Sequence, residues 1–211
     1  MSVYRNLPRL SKGALIGMSP ITGLSGTVTV LQYNPAEMTR TVSASRDSSK
    51  AGTSWPSESF AMKVHLDAAD QLERADSLAM STGIHPQLAA LETLVFPRVA
   101  SILAGVALSR AGVIESVPAD RPLAIFVWGS LRILPVRISQ FSVRETAFDN
   151  RLNPIRAEID LGMEVVSCGE LGWRNMGAWL YMANRVHREG LGLMHSAVTA
   201  EQLANQIVEK L

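Results

Sequence analysis

Phe126-Val-Trp-Gly, then Ile133-Leu-Pro-Val-Arg-Ile-Ser, then Ile155-Arg-Ala-Glu-Ile-Asp-Leu-Gly-Met-Glu-Val165 is the stretch that decides the fold class. In its last segment Ile155, Ala157, Ile159, Leu161, Met163 and Val165 share one parity, and Arg156, Glu158, Asp160, Gly162 and Glu164 share the other. Side chains alternate between the faces of a strand, so the segment reads as a strand with one dry and one wet face. The wet face carries both signs of charge but no His, Cys or Ser grouping that points to chemistry.

Toward the N-terminus, residues 59–66 alternate in the same way, with Phe60, Met62, Val64 and Leu66 inward and Ser59, Lys63 and His65 outward. Residues 12–18 read as a short strand. Residues 27–33, rich in β-branched side chains, form another that stops at Asn34-Pro35. Residues 39–44 are its expected antiparallel partner, and the polar stretch 46–56 is a loop. Between the strands the period changes to that of a helix. Residues 67–80 begin with acids that suit a helix start, Pro86 opens a second helix, and residues 99–112 form a third. Beyond Gly169, Met176, Trp179, Leu180, Ala183 and Val186 follow helical spacing, with Gly190 and Gly192 as the stop; Thr199 and Gln202 then resemble a capping box for a last helix.

These elements predict an α+β chain. Residues 1–168 form a β-rich body with a helical insert at about 67–113, and residues 169–211 form a C-terminal helical extension. In 211 residues, 47% hydrophobic and 18% charged, there is room for one sizeable core. A net charge of +1 offers no basis for a nucleic-acid partner. The apolar stretch 94–114 is interrupted by Pro97, Arg98 and Arg110, too short for a bilayer, so it reads as a buried or interface helix without membrane insertion. A single cysteine, Cys168, and an N-terminal apolar run too short for a signal peptide suit cytoplasmic synthesis without export.

No catalytic, cofactor or metal site is expected. His65, His85, His187 and His195 lack ligand spacing. Asp67, Asp70 and Glu73 read as acids of a helix start, and Cys168 as a thiol at a strand end. Neither a phosphate-binding glycine loop nor a nucleophile elbow is present. Trp128 suits a core strand, whereas Trp55, Trp173 and Trp179 are candidates for anchoring a partner.

The ordered set Leu31-Gln-Tyr-Asn-Pro, Met38-Thr-Arg, Leu66-Asp-Ala-Ala-Asp, Pro86-Gln-Leu-Ala-Ala-Leu-Glu, Phe126-Val-Trp-Gly with Leu134-Pro-Val-Arg-Ile, and Phe148-Asp with Leu152-Asn-Pro-Ile-Arg-Ala resembles the tube-protein domain of contractile injection systems. The resemblance runs over residues 12–167. It implies a tail-tube-like antiparallel β-barrel or sandwich that assembles into a hexameric ring and joins the inner-tube protein to the spike hub and baseplate of a phage-tail-like particle. A major tube subunit, a tube cap or a cargo-binding module of the same particle are the alternatives. Many members carry a C-terminal peptidoglycan-binding LysM module, which the helical reading after Gly169 does not match. In a ring, Arg156, Glu158, Asp160 and Glu164 would line a lumen or pair across subunits, or else form an ordinary solvated face, and Trp55, Trp173 and Trp179 would meet partners.

Overall fold

The computed structural model describes residues 11–19, 23–44, 55–112, 122–173 and 175–208. It is a mixed α+β fold built on one seven-stranded antiparallel sheet. The strands are β1 (Ala14–Ser19), β2 (Gly23–Val30), β3 (Met38–Ser43), β4 (Ser57–Asp67), β5 (Leu123–Val127), β6 (Ile133–Phe148) and β7 (Pro154–Val165), in the spatial order β2-β1-β5-β6-β7-β4-β3. The alternation in β4 and β7 is as the sequence indicates: Phe60, Met62, Val64 and Leu66 are buried on one, and Ala157, Ile159, Leu161 and Met163 on the other. The pairing expected for residues 39–44 is corrected. β3 pairs with β4, in the register Met38↔Met62 to Ser43↔Ser57, while β2 pairs with β1. The Asn34-Pro35 turn therefore carries the chain across to the other border of the sheet instead of closing a hairpin.

The sheet is not closed into a barrel, but it is strongly curled. Phe60 on β4 and Phe126 on β5 stand three strand positions apart, about 14 Å in a flat sheet. Their ring centroids are 5.6 Å apart. The sheet must fold over its own dry face to bring them together, and the enclosed space holds one cluster that includes Leu15, Leu31, Val136, Ile159 and Met163. One source of curvature is the irregularity in β6 between Ile138 and Gln140, since an extra residue in one strand bends it. Gly162 lies against it, and a Cβ there would stand 2.9 Å from the Gln140 Cβ.

A side chain bridges the curled borders where no ladder does. β3 covers only the first half of the β4 edge. At its far end the Gln32 amide, just past β2, donates to the Asp67 carbonyl (2.6 Å) and accepts from the Asp67 N–H (2.9 Å). Gln32 thus mimics one residue of a neighbouring strand.

The helices are α1 (Ala69–Glu73), α2 (Ser77–Thr82), α3 (His85–Glu92), α4 (Val99–Arg110), α5 (Cys168–Leu171) and α6 (Met176–Val208). The helix expected over 67–80 is two helices. Asp67 belongs to β4, Ala75 breaks the path at φ +52°, and Asp76 restarts it by accepting from the Leu78 and Ala79 N–H groups. Ile84, Leu88 and Leu91 then close the core from the α3 side, and the Ile84 N–H reaches the Pro154 carbonyl. Gly83 permits that approach, because a Cβ would collide with the same carbonyl.

Gly190 and Gly192 do not stop the C-terminal helix. α6 runs 33 residues without a break, about 50 Å. Thr199 caps nothing: its hydroxyl donates to the His195 carbonyl within the helix, as Ser196 does to Gly192. Cys168 is a buried first residue of α5 rather than a strand end.

Replacing Gln32 by Leu removes both bonds to Asp67 while keeping an apolar stem. A loss of about 1–3 kcal/mol in urea denaturation is expected, since two main-chain groups lose their partner. Faster hydrogen exchange of the Asp67 amide should accompany it; an unchanged rate would mean that the bridge does not hold the border.

Candidate subunit interface

Three of the four candidate charges of the wet face, Arg156, Glu158 and Asp160, stand beside charged or titratable groups within the chain. Arg156 donates to Asp67 (2.8 and 2.7 Å), Asp160 stands beside Lys63 (3.8 Å) and Glu158 beside His65 (4.0 Å), each pair directly opposed in the β4–β7 register. On the other side Arg144 is opposite Glu158 and Arg137 opposite Glu164, although Arg137 reaches instead to Glu170 on α5 (3.0 Å). Cross-strand pairs of opposite charge stabilise the sheet by a few tenths of a kcal/mol each. The face is hydrated and close to neutral.

The tryptophans divide. Trp55 packs edge-on to Tyr181 of α6, with ring centroids 6.2 Å apart, and covers Gly169. Trp128 lies over Gly13, and its ring is 5.9 Å from that of Phe126. Trp173 and Trp179 are exposed. The apolar stripe Met176, Trp179, Ala183 and Val186 faces away from the body, and Gly177, Ala178, Tyr181 and Asn184 are the residues buried against it.

α6 is fastened by an ion cluster that no local pattern announces. Arg188 grips Glu58 of β4 through two bonds (2.8 and 2.9 Å), and Arg40 of β3 adds a third (2.6 Å). Burial works to raise the Glu58 carboxyl, but the bonds and charges of Arg188 and Arg40 outweigh it and hold the group below its ordinary value. Arg132 lies over the Phe60 ring at 5.5 Å, so a third guanidinium flanks the one carboxylate.

Three features leave apolar or unpaired groups facing outward. β3 is exposed along nearly its whole length, Val42 included, and β2 presents Val28 and Val30. A groove of about 460 Å³ separates β2 from α3, lined by Val28, Val30, Pro86 and Ala90 among others. α4 stands off the core. Of its twelve residues only Gly105 is buried, while Val99, Ile102, Leu103, Val106 and Leu108 are exposed. The third feature is the tip of the β6–β7 hairpin. There Leu152 is 80% exposed at φ +65°, in a turn fixed by Asp149, which accepts from the Arg151 and Asn153 N–H groups and from the Asn153 amide. These bonds, the Asn153 side chain first, hold the Asp149 carboxyl below its usual value.

Among the described residues no group of His, Cys, Asp or Glu is arranged to hold a metal ion, and no helix is long and apolar enough to cross a membrane. Cys168 is buried, Asp67 is engaged by Arg156, and Asp70 lies exposed on α1. No protein-family model matches the chain, and no curated protein sequence does.

Replacing Glu58 by Gln leaves Arg188 without its carboxylate, with a cost of about 1–3 kcal/mol for this partly screened site. The sign of the pH dependence follows from the lowered carboxyl: the stabilisation is complete above the unfolded-state value and disappears as pH falls through the folded one. Wild type and variant should therefore differ at neutral pH and converge in acid, read by denaturation and by the near-ultraviolet dichroism of Trp55 and Tyr181. A difference that persists unchanged at low pH would contradict the cluster's role. At the hairpin tip, Leu152→Gly should raise stability by about 0.5–1 kcal/mol by relieving the left-handed leucine; a fall in melting temperature would show that the leucine packs within its own chain.

Proposed function

We propose that this chain is a non-enzymatic structural subunit of a contractile, phage-tail-like injection particle, forming a sixfold ring that initiates the inner tube or joins it to the spike hub and baseplate. One observation carries the reading: the sheet is left open, with solvated strands β2 and β3 at its borders and a largely apolar helix α4 that the other described residues do not cover. Open strand borders are liabilities that closure of a ring removes. A helix with its apolar residues spread round the axis and only Ser101, Ser109 and Arg110 polar is ordinarily buried over most of its surface, and at 12 residues α4 spans about 18 Å, too short for a bilayer. A neighbouring copy supplies both covers at once.

The ordered motifs support the same reading, because several of them fall where the fold is most constrained. Leu31-Gln-Tyr-Asn-Pro contains the Gln32 bridge, Leu66-Asp contains its acceptor, and Phe148-Asp with Leu152-Asn-Pro forms the tip of the longest hairpin. The near-neutral wet face suits a hydrated surface that must not grip what passes it.

The purified protein, or the particle that contains it, should give sixfold annuli in negative-stain class averages. Val28→Lys with Val30→Lys, two exposed positions on β2, should abolish the annuli without lowering the melting temperature. A protein that stays monomeric and joins no particle would sink the reading, as would annuli indifferent to charges on β2.

A further inference from the structure

We propose that α6 is an antiparallel self-association helix, pairing with α6 of a second copy of this chain. Among its exposed residues one series of apolar and small side chains recurs at alternating steps of three and four: Met176, Trp179, Ala183, Val186, Gly190, Leu193, then Ala197 and Ala200, with Leu191, Met194 and Val198 exposed along its flank in the second half. That is the 3.5-residue period of a coiled-coil seam, which only another helix with a matching period can cover along its length. The body sits on the opposite side, held by Ala178, Tyr181, Asn184 and Arg188, so the seam is free for its whole course. Trp179, Val186 and Leu193 are 67%, 64% and 73% exposed. From Met176 to Ala200 the seam runs about 36 Å and, at a width of about 10 Å, covers about 360 Å². An apolar patch of that size is often functional.

The distribution of sizes identifies the occupant and its direction. Of the six inner seam positions, alternate ones are bulky (Trp179, Val186, Leu193) and small (Ala183, Gly190, Ala197); at the ends Met176 and Ala200 reverse the order. In a parallel pair each residue meets its own equivalent, which would set alanine against alanine and glycine against glycine and leave voids beside stacked tryptophans. In an antiparallel pair the two halves meet. Trp179 then faces Ala197 of the second copy, Val186 faces Gly190 and Leu193 faces Ala183, so a bulky group fills each gap. Gly190, one of the two glycines that break the pattern of a good isolated helix, acquires a purpose here, since it receives Val186. Charge does not oppose the approach. Arg185 and Glu189 neutralise each other within the helix at 3.5 Å, and Arg188 is turned inward to Glu58.

The inference is independent of the ring. Pairing through α6 joins two monomers or two rings alike, so sedimentation of the full chain should show twice the mass found for the Val186→Glu and Leu193→Glu variants. Both positions are exposed in the single chain, so circular dichroism and melting temperature should stay unchanged. Direction is read by disulfide formation. A mixture of Val186→Cys and Gly190→Cys proteins should cross-link, whereas Ala183→Cys alone should not, because its two copies would stand about 15 Å apart along the antiparallel axis. Equal masses for wild type and glutamate variants, or faster cross-linking of Ala183→Cys than of the mixture, would overturn the proposal.

Discussion

The contact between Phe60 and Phe126 is the constraint from which the rest of the architecture follows. Two rings that a flat sheet would hold far apart touch across the dry face, so the sheet has to curl, and a curled sheet of seven strands brings its borders close without merging them. The Gln32 amide then does at a single residue what a ladder would do along a strand. Had β3 extended over the second half of β4, or β2 reached it directly, the borders would have met within one chain. As built, the strand groups beyond the bridge remain available.

The same curl explains where α6 can sit. Its short buried side lies against β6 and α5, and the Glu58 cluster ties it to the β3–β4 border. One carboxylate among three guanidiniums is an arrangement with more positive than negative charge, tolerable because Arg132 spreads over an aromatic face and the group is partly open to water. The helix is thereby fixed at its first third and projects from there.

Sequence alternation made β4 and β7 legible because each has one dry and one wet face, and a shift of one residue would bury four charges. Strand pairing was less legible. Adjacent strands joined by an Asn-Pro turn suggest a hairpin, yet β2 and β3 lie at opposite borders, and nothing between residues 34 and 38 encodes that crossing. The α6 stop failed for a related reason. Two glycines cost a helix about 1 kcal/mol each, a local penalty that a 33-residue helix absorbs. Amphipathicity told that residues 176–186 are helical but not which side faces the body, since the buried side is Gly177, Ala178, Tyr181 and Asn184 while Trp179 and Val186 stay exposed. Of the candidate interface residues, Trp55 packs edge-on to Tyr181 yet stays 38% exposed, while Trp173 and Trp179 are more exposed still. Glu58, Arg40 and Arg188 were invisible in sequence because 130 positions separate the glutamate from its main partner.

The order of strands also sets a timetable for synthesis. β1 waits for β5 and β4 waits for β7, each about a hundred residues later in the chain, so the centre of the sheet cannot form until Val165 has left the ribosome. Until then the emerging N-terminal half has only its two local hairpins, β1–β2 and β3–β4, with their apolar faces bare. Such bare strand faces are prone to aggregate while the chain is being made, a hazard set by the order of the strands and not by the stability of the finished fold.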